Sequence, residues 1–360
     1  MNIRKATTQY EKWLTNFTPL IKSDLDYKHQ QMALAPFPFL RATFYRWVQA
    51  WPTVCKEVAQ APIVLSVGDL HIENFGTWRD TEGRLIWGVN DFDEACHLPY
   101  TNDLVRLATS AQLAIEANHL RLKCADAFEA ILSGYVEGLK SGGRAFVLAE
   151  SHGWLRGIAL SILSDPVRYW QKMDRLEAVK EEVPESATVA LEHALPYASL
   201  PYQVKHRVAG LGSLGRPRYT AVAECEGGRI AREAKALVPS STVWAKQEAK
   251  AAEIFYLAIV DRAVRCRDPF VRLQGHWIVR RLAPDCSRVE LSALPEERDE
   301  TRLLNAMGWE TANIHLGSRG AVKAVQQDLK KRSKGWLGRA AGAMTQAMQA
   351  DWQAWKAGSR

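Results

Sequence analysis

Residues 64 to 93, VLSVGDLHIENFGTWRDTEGRLIWGVNDFD, admit few folds, because an apolar strand runs straight into a polar loop and a hairpin follows. Ile63, Val64 and Leu65 read as the strand, and a glycine precedes Asp69, so the aspartate sits at a strand end, exposed but held by a rigid element. Asn74 comes five residues later. Thr77 to Asn90 reads as two short strands, one around Thr77 and Trp78 and one from Leu85 to Val89, joined by a turn over Arg79, Asp80, Thr81, Glu82 and Gly83. A hairpin brings its two ends together, so Asp91 is expected to return beside Asn74. The pair then offers one amide oxygen and one carboxylate to a hard divalent cation, with Asp69 free beside them to orient a hydroxyl. Phosphoryl transfer needs that set of groups.

At 360 residues the chain suits one large or two modest domains. No apolar run approaches the roughly 18 residues that span a bilayer, and MNIRKATTQYEKW has no apolar signal core, so the expected setting is the cytoplasm, without a membrane. Six cysteines (Cys55, Cys96, Cys124, Cys225, Cys266, Cys286) are scattered without a CxxC pair, which argues against a zinc ribbon or a disulfide framework. The net charge of +7 is uneven, with nine Lys or Arg against two Asp from Arg319 to Arg360. A positive face serves ATP, a phosphorylated substrate or nucleic acid by the same electrostatics. Few stacking aromatics beyond Trp336, Trp352 and Trp355 accompany that charge, and no recognition motif is present, which argues against nucleic acid.

Along the chain, residues 8 to 60 read as helices broken at Ala35, Pro36, Phe37 and Pro38. Arg41 and Arg46 could reach a phosphate, although most helix arginines are solvated or paired. A helix begins near LPYTNDLVRLA, with Thr101 or Asn102 as its N-cap and Asp103 in its first turn, favouring the dipole or turning inward to the loop of Asp69. A second runs from about Ala125 to Lys140 and stops at Ser141, Gly142 and Gly143. Glu181 to Gln203 mixes Pro, Ser and charge as a linker or lid would, and sets an expected domain boundary near residue 203.

HRVAGLGSLGRPRYTAVAECEGGRIAREAKAL comes next, with Gly210, Gly212, Ser213 and Gly215 in a GxGSxG loop. A dinucleotide-binding loop would open a helix after the third glycine, whereas Pro217 and then alternating residues from Tyr219 to Glu224 predict a strand, with Arg229 to Val238 as its partner. A glycine loop between strands presents backbone N–H groups to phosphates, and Lys235 on the later strand is placed to pair them. One long helix is expected from about Thr242 to Arg265, where Glu248 and Glu253 are both candidates to hold Lys235. Strands are expected at Phe270 to Leu273 and Trp277 to Leu282, a hinge at Pro284, and helices from Glu300 to Lys356 interrupted at Gly317 to Gly320 and near Gly335.

VGDLHIENFG followed by NDFD resembles the catalytic loop and metal motif of the protein-kinase-like superfamily, especially its aminoglycoside and choline phosphotransferases. The resemblance implies Asp69 as catalytic base, Asn74 and Asp91 as metal ligands, and Asp103 as the structural brace of the loop; GLGSLG and Lys235 resemble the nucleotide-binding lobe of that fold. The order is reversed, since the glycine loop comes after the catalytic loop by about 140 residues. MALAPFPFLR, GDLHIENFG, NDFDEA and the later GLGSLG together resemble the bacterial domain of unknown function 2252 family. This resemblance implies an α+β, two-lobed kinase-like fold with circularly permuted lobes. Residues 1–203 would form a mostly helical catalytic lobe, 204–284 a nucleotide-binding lobe, and 285–360 helices that complete the first. Two departures stand out: Val67 where many relatives of that superfamily place a histidine, and DFD rather than DFG with no APE-type segment, which favours a small-molecule acceptor.

The activity so implied is ATP- and Mg²⁺-dependent phosphoryl transfer to a small-molecule hydroxyl. The same groups would serve nucleotidyl transfer, and a nucleotide-binding regulator without turnover is the third alternative.

Overall fold

The computed structural model describes residues 1–148, 152–163, 165–179, 181–197, 199–247, 253–286 and 299–358. Four helices open the chain, α1 (Ile3–Leu14), α2 (Lys22–Leu34), α3 (Pro36–Ala42) and α4 (Phe44–Val54). Ala35, extended at φ −156°, separates α2 from α3, which is the conformation imposed on a residue before proline. Strands β1 (Ile63–Ser66) and β4 (Cys96–Pro99) pair antiparallel. Between them β2 (Phe75–Arg79) and β3 (Leu85–Val89) form the hairpin, joined at its far edge by β5 (Phe146–Val147). Asp80 closes the hairpin turn by accepting the N–H groups of Glu82 and Arg84 at 3.0 and 2.9 Å.

Helix α5 (Tyr100–Glu116) is buried along most of its length, and α6 (Cys124–Ser141) ends on left-handed Gly142 at φ 84°. The N-cap of α5 is Pro99 rather than Thr101 or Asn102; those two residues sit buried inside the first turn, where Thr101 donates to the Val58 carbonyl and Asn102 accepts from Trp47 Nε1 of α4.

Helices α7 (Gly153–Ile162), α8 (Pro166–Asp174) and α9 (Glu185–Glu192) precede an antiparallel five-stranded sheet. Its strands are β6 (Tyr202–His206), β7 (Arg218–Cys225), β8 (Gly228–Ala236), β9 (Arg272–Gln274) and β10 (Trp277–Leu282), in the order β6-β7-β8-β10-β9. Ala187, Ala190 and Leu191 of α9 pack on Ala221, Ala234 and Ala236, and Met173 of α8 packs on Val222 and Ala231. The stretch expected as a linker or lid therefore carries a helix that covers the sheet. Small alanines on the sheet let a short helix lie close, so α9 needs only three buried apolar side chains and shows little periodicity.

The single helix expected from Thr242 to Arg265 is two helices, α10 (Ser241–Lys246) and α11 (Tyr256–Arg262). Gln247 takes a left-handed conformation at φ 57°, which terminates α10 as a helix cap does. The tail consists of α12 (Glu300–His315), α13 (Val322–Lys331) and α14 (Trp336–Ala357). Helix α12 lies in contact with α6, where Gly134 faces the Asn305 carbonyl and Gly308 faces that of Ile131, with no room for a Cβ at either. Helix α14 packs on α5, and one continuous apolar core joins α3, α4, the hairpin and the tail, while α1 and α2 pack with Trp355 in a second cluster. The architecture is mixed α+β with several sheets.

Candidate functional site

Helix α5 builds the loop that carries Asp69. Val67 and Gly68 donate their backbone N–H groups to the Asp103 carboxylate at 2.7 and 3.0 Å, and Asn102 Nδ2 donates to the Gly68 carbonyl at 3.3 Å. His315 Nε2, from α12, lies 3.0 Å from the same Asp103 carboxylate, and its Nδ1 lies 2.8 Å from the Tyr135 hydroxyl. Only glycine fits at Gly68, where φ is 81° and a Cβ would strike the Glu94 carbonyl. Asp69 is not free. Arg106 Nε donates to its Oδ1 at 2.8 Å and Nη2 donates to the same atom, while the guanidinium lies 4.9 Å from the Phe44 and Trp47 ring centroids. Burial pushes the Asp69 carboxyl above its ordinary value against the pull of Arg106.

The hairpin brings Asn74 and Asp91 together: Asn74 Nδ2 donates to the backbone carbonyls of Asp69 and Asp91 at 3.1 and 3.2 Å. Lys235, on β8, donates to both carboxylate oxygens of Asp93 at 2.6 and 2.7 Å and lies 3.6 Å from Asp91 Oδ1. Among the described residues the lysine's partner is thus the second aspartate of NDFD. Glu253 is exposed and outside any helix, because the expected helix is broken at Gln247, and Glu248 lies outside the described residues. Burial and then the neighbouring Asp91 push the Asp93 carboxyl up, against Lys235 and Arg216; burial pushes Lys235 down, against Asp91 and Asp93.

The glycine loop lies directly over Asp69. A Cβ on Gly212 would stand 3.4 Å from Asp69 Oδ2 and 3.2 Å from the Arg41 carbonyl. Gly210 (φ 74°) and Gly215 (φ 94°) bracket a tight turn in which the Ser213 N–H donates to the Gly210 carbonyl at 2.9 Å and the Arg216 N–H to that of Ser213 at 3.1 Å. The Ser213 N–H thus closes the turn itself. Ser213 Oγ accepts from Arg218 Nη2 at 3.0 Å. From α2, Lys28 Nζ donates to the Gly212 carbonyl at 3.0 Å, and burial pushes this lysine down to about 8; just ahead of α2, the Ile21 N–H donates to the Gly215 carbonyl at 2.8 Å.

Asp69, Asn74, Asp91, Gly210, Gly212 and Ser213 line one cavity of about 40 Å³. Gly215 turns away onto Leu25, and Asp103 stays behind the loop. Residues that no motif marks also belong here. Glu94 Oε2 accepts from the Ser241 N–H at 2.7 Å and from the Ser240 and Ser241 hydroxyls at 3.0 Å, tying the metal-motif segment to the end of the sheet. Glu233, fully buried, collects Arg207, Arg218 and Arg280; burial would raise it, yet the three guanidiniums hold it well below the usual carboxylate range.

Among the described residues no three His, Cys, Asp or Glu side chains form a metal cage. The donor set does suit Mg²⁺, which rests on one or two carboxylates and takes its other ligands from phosphates and water. Burial first and the neighbouring Asp91 second raise the Asp93 carboxyl, and a cation beside Asp91 and the Asn74 amide would offset the repulsion between the two aspartates.

Residues 20–152 match the model of a family described as an uncharacterized protein conserved in bacteria (DUF2252). That span holds Asp69, Asn74, Asp91 and Asp103 and ends before the glycine loop and Lys235. No curated protein and no solved structure matches the chain. No helix among the described residues is long and apolar enough to cross a membrane.

Proposed function

We propose that the chain is an ATP- and Mg²⁺-dependent phosphotransferase acting on a small-molecule hydroxyl, with a kinase-like fold whose lobes are circularly permuted. The observation that carries this reading is the meeting of Asp69, Asn74 and Asp91 with a glycine loop from a stretch about 140 residues later around one cavity, with Lys235 behind its wall at 3.6 Å from Asp91 Oδ1. Asn74 and Asp91 would hold Mg²⁺, which supplies charge neutralisation at the phosphates. Lys235 and the loop orient the nucleotide, and Asp69 takes the acceptor's hydrogen bond. Arg106 aims the Asp69 carboxylate and opposes the burial that raises it, while the Asp103 and His315 pair fixes the loop behind it. Such a site works by positioning and charge, since phosphoryl transfer asks little covalent chemistry of the protein.

Turnover of γ-labelled and α-labelled ATP in wild type and Asp69→Asn tests the assignment. Loss of a positioned base costs about 10²–10⁴-fold in rate, so the γ-label is expected to move in wild type and to fall by that order in the variant. Unchanged γ-transfer removes Asp69 from its role, and transfer of the α-label makes the reaction nucleotidyl transfer.

A further inference from the structure

The last residue of the glycine-loop segment does something that its neighbours do not. Arg216 is 4% exposed and lines the cavity above Asp69, yet its Nη1 has no hydrogen-bond partner. Its acidic neighbours stand off, with Asp93 Oδ2 at 3.7 Å from Nη1 and Glu94 Oε1 at 3.9 Å from Nη2, beyond hydrogen-bond reach. Arg41 faces the same cavity; one of its terminal nitrogens pairs with Glu73, but its Nε is also unpartnered. A guanidinium cannot lose its proton, and a buried donor without an acceptor forfeits the hydrogen bond that water would give it. Two such donors around one small space call for an acceptor from outside the chain.

The carboxylates in the wall do not supply it. Asp69 Oδ1 accepts from Arg106, Asp93 from Lys235, and Glu94 Oε2 from Ser240 and Ser241; Asp91 stands 3.6 Å from Lys235, and Arg216 Nη1 bonds none of the four. With a water needing roughly 10–15 Å³ of such volume, the cavity of about 40 Å³ has room for about three waters, the size of one tetrahedral oxyanion. Phosphate oxygens accept several N–H bonds at once and suit guanidinium geometry.

We propose that Arg216, with Arg41 opposite, binds a tetrahedral oxyanion above Asp69 and that this oxyanion is the terminal phosphate of the nucleotide. Naming the nucleotide as its source rests on the phosphotransferase reading. Arg216 then distinguishes a nucleoside triphosphate from a diphosphate, and Asp69 lies below the group that moves.

The experiment is calorimetric titration of wild type, Arg216→Gln and Arg216→Lys with Mg·ATP, Mg·ADP and inorganic phosphate. Wild type is expected to bind Mg·ATP at least tenfold tighter than Mg·ADP. In Arg216→Gln the ATP affinity drops to that of ADP while ADP binding stays unchanged, and Arg216→Lys keeps part of the preference. If Arg216→Gln does not fold, Arg216→Lys carries the test, with the preference cut at least threefold. A preference that survives both substitutions, or an equal loss for both nucleotides, overturns the proposal. Were wild type to bind neither nucleotide, the phosphotransferase reading would fall by itself. The oxyanion site would then be supported by phosphate binding that Arg216→Gln removes, and ended by its absence.

Discussion

At the scale of single residues, many ionisable groups are buried around the loop and hairpin, most with a partner chosen by position. Glu310 of α12 sits against Gly88 of β3 and accepts from Asn313 Nδ2 at 2.8 Å; burial pushes its carboxyl from 4.5 to about 7. Between those values the folded chain keeps a proton that the unfolded chain has lost. Stability from this group therefore falls as pH rises through the window and is lowest above about 7. Each tenfold difference in proton affinity between the folded and unfolded chain is worth about 1.4 kcal/mol. Glu310→Gln is therefore expected to be more stable than wild type by roughly 3 kcal/mol at pH 8, and nearly equal to it at pH 4.5. Urea titration at the two pH values measures this; a difference independent of pH would show that Glu310 is ionised throughout. Arg106 shows the limit of reading such residues from sequence. It comes three positions after Asp103, so the two share one face of α5, which is a usable signal. That it neutralises Asp69 depends on the loop above, which no spacing within the helix encodes.

At the scale of elements, glycines mark where one backbone touches another, and their substitutions separate function from stability. Gly212 lies over Asp69 with 3.2 to 3.4 Å for an added Cβ, a contact that neighbours can relieve by small shifts. Gly308 meets a carbonyl of α6 with no such freedom. Gly212→Ala is expected to lower ATP turnover at least tenfold with little change in melting temperature. Gly308→Ala is expected to destabilise by about 2 kcal/mol or more, in the range of overpacked cores, with turnover retained once folded. Melting curves and turnover on both variants check the ranking, and the reverse order would dismiss the assigned contacts. Local signals make most elements legible: the hairpin from its turn residues, the break at Ala35 from two prolines, the α6 stop from Gly142, the strand after the glycine loop from Pro217 and alternation. The rest is set by tertiary packing. The alanine stripe between Thr242 and Arg265 reads as one helix, and only Gln247 in its left-handed conformation ends it early. Helix α9 hides in a Pro- and Ser-bearing stretch because the sheet it covers is built of alanines. Sequence spacing points Lys235 toward a helix glutamate, whereas its partner is the second aspartate of NDFD, brought to it across the cavity by the hairpin.

For the whole molecule, the chain passes from the first helical unit to the five-stranded sheet and back. Helices α12 to α14 complete the core begun by residues 1–148, and α1 meets α14 where Arg4 lies 4.9 Å over the Trp355 ring. A fragment of residues 1–203 is expected to lack cooperative unfolding on its own and to regain it when mixed with residues 299–360, as near-UV circular dichroism would report. A cooperative transition in the fragment alone would mean that the tail is an accessory. The contact between His315 and Asp103 spans 212 positions. At roughly 5–20 residues per second on the ribosome, His315 emerges on the order of 10 to 40 s after the aspartate it braces. During that interval the sheet, whose strand pairings are mostly local, has time to form, while the loop of Asp69 has neither its histidine nor its covering helix. A nascent chain of this protein therefore carries its glycine loop and lysine well before it carries a supported Asp69, and a translation product that stops short of His315 leaves the Asp103 carboxylate without its histidine.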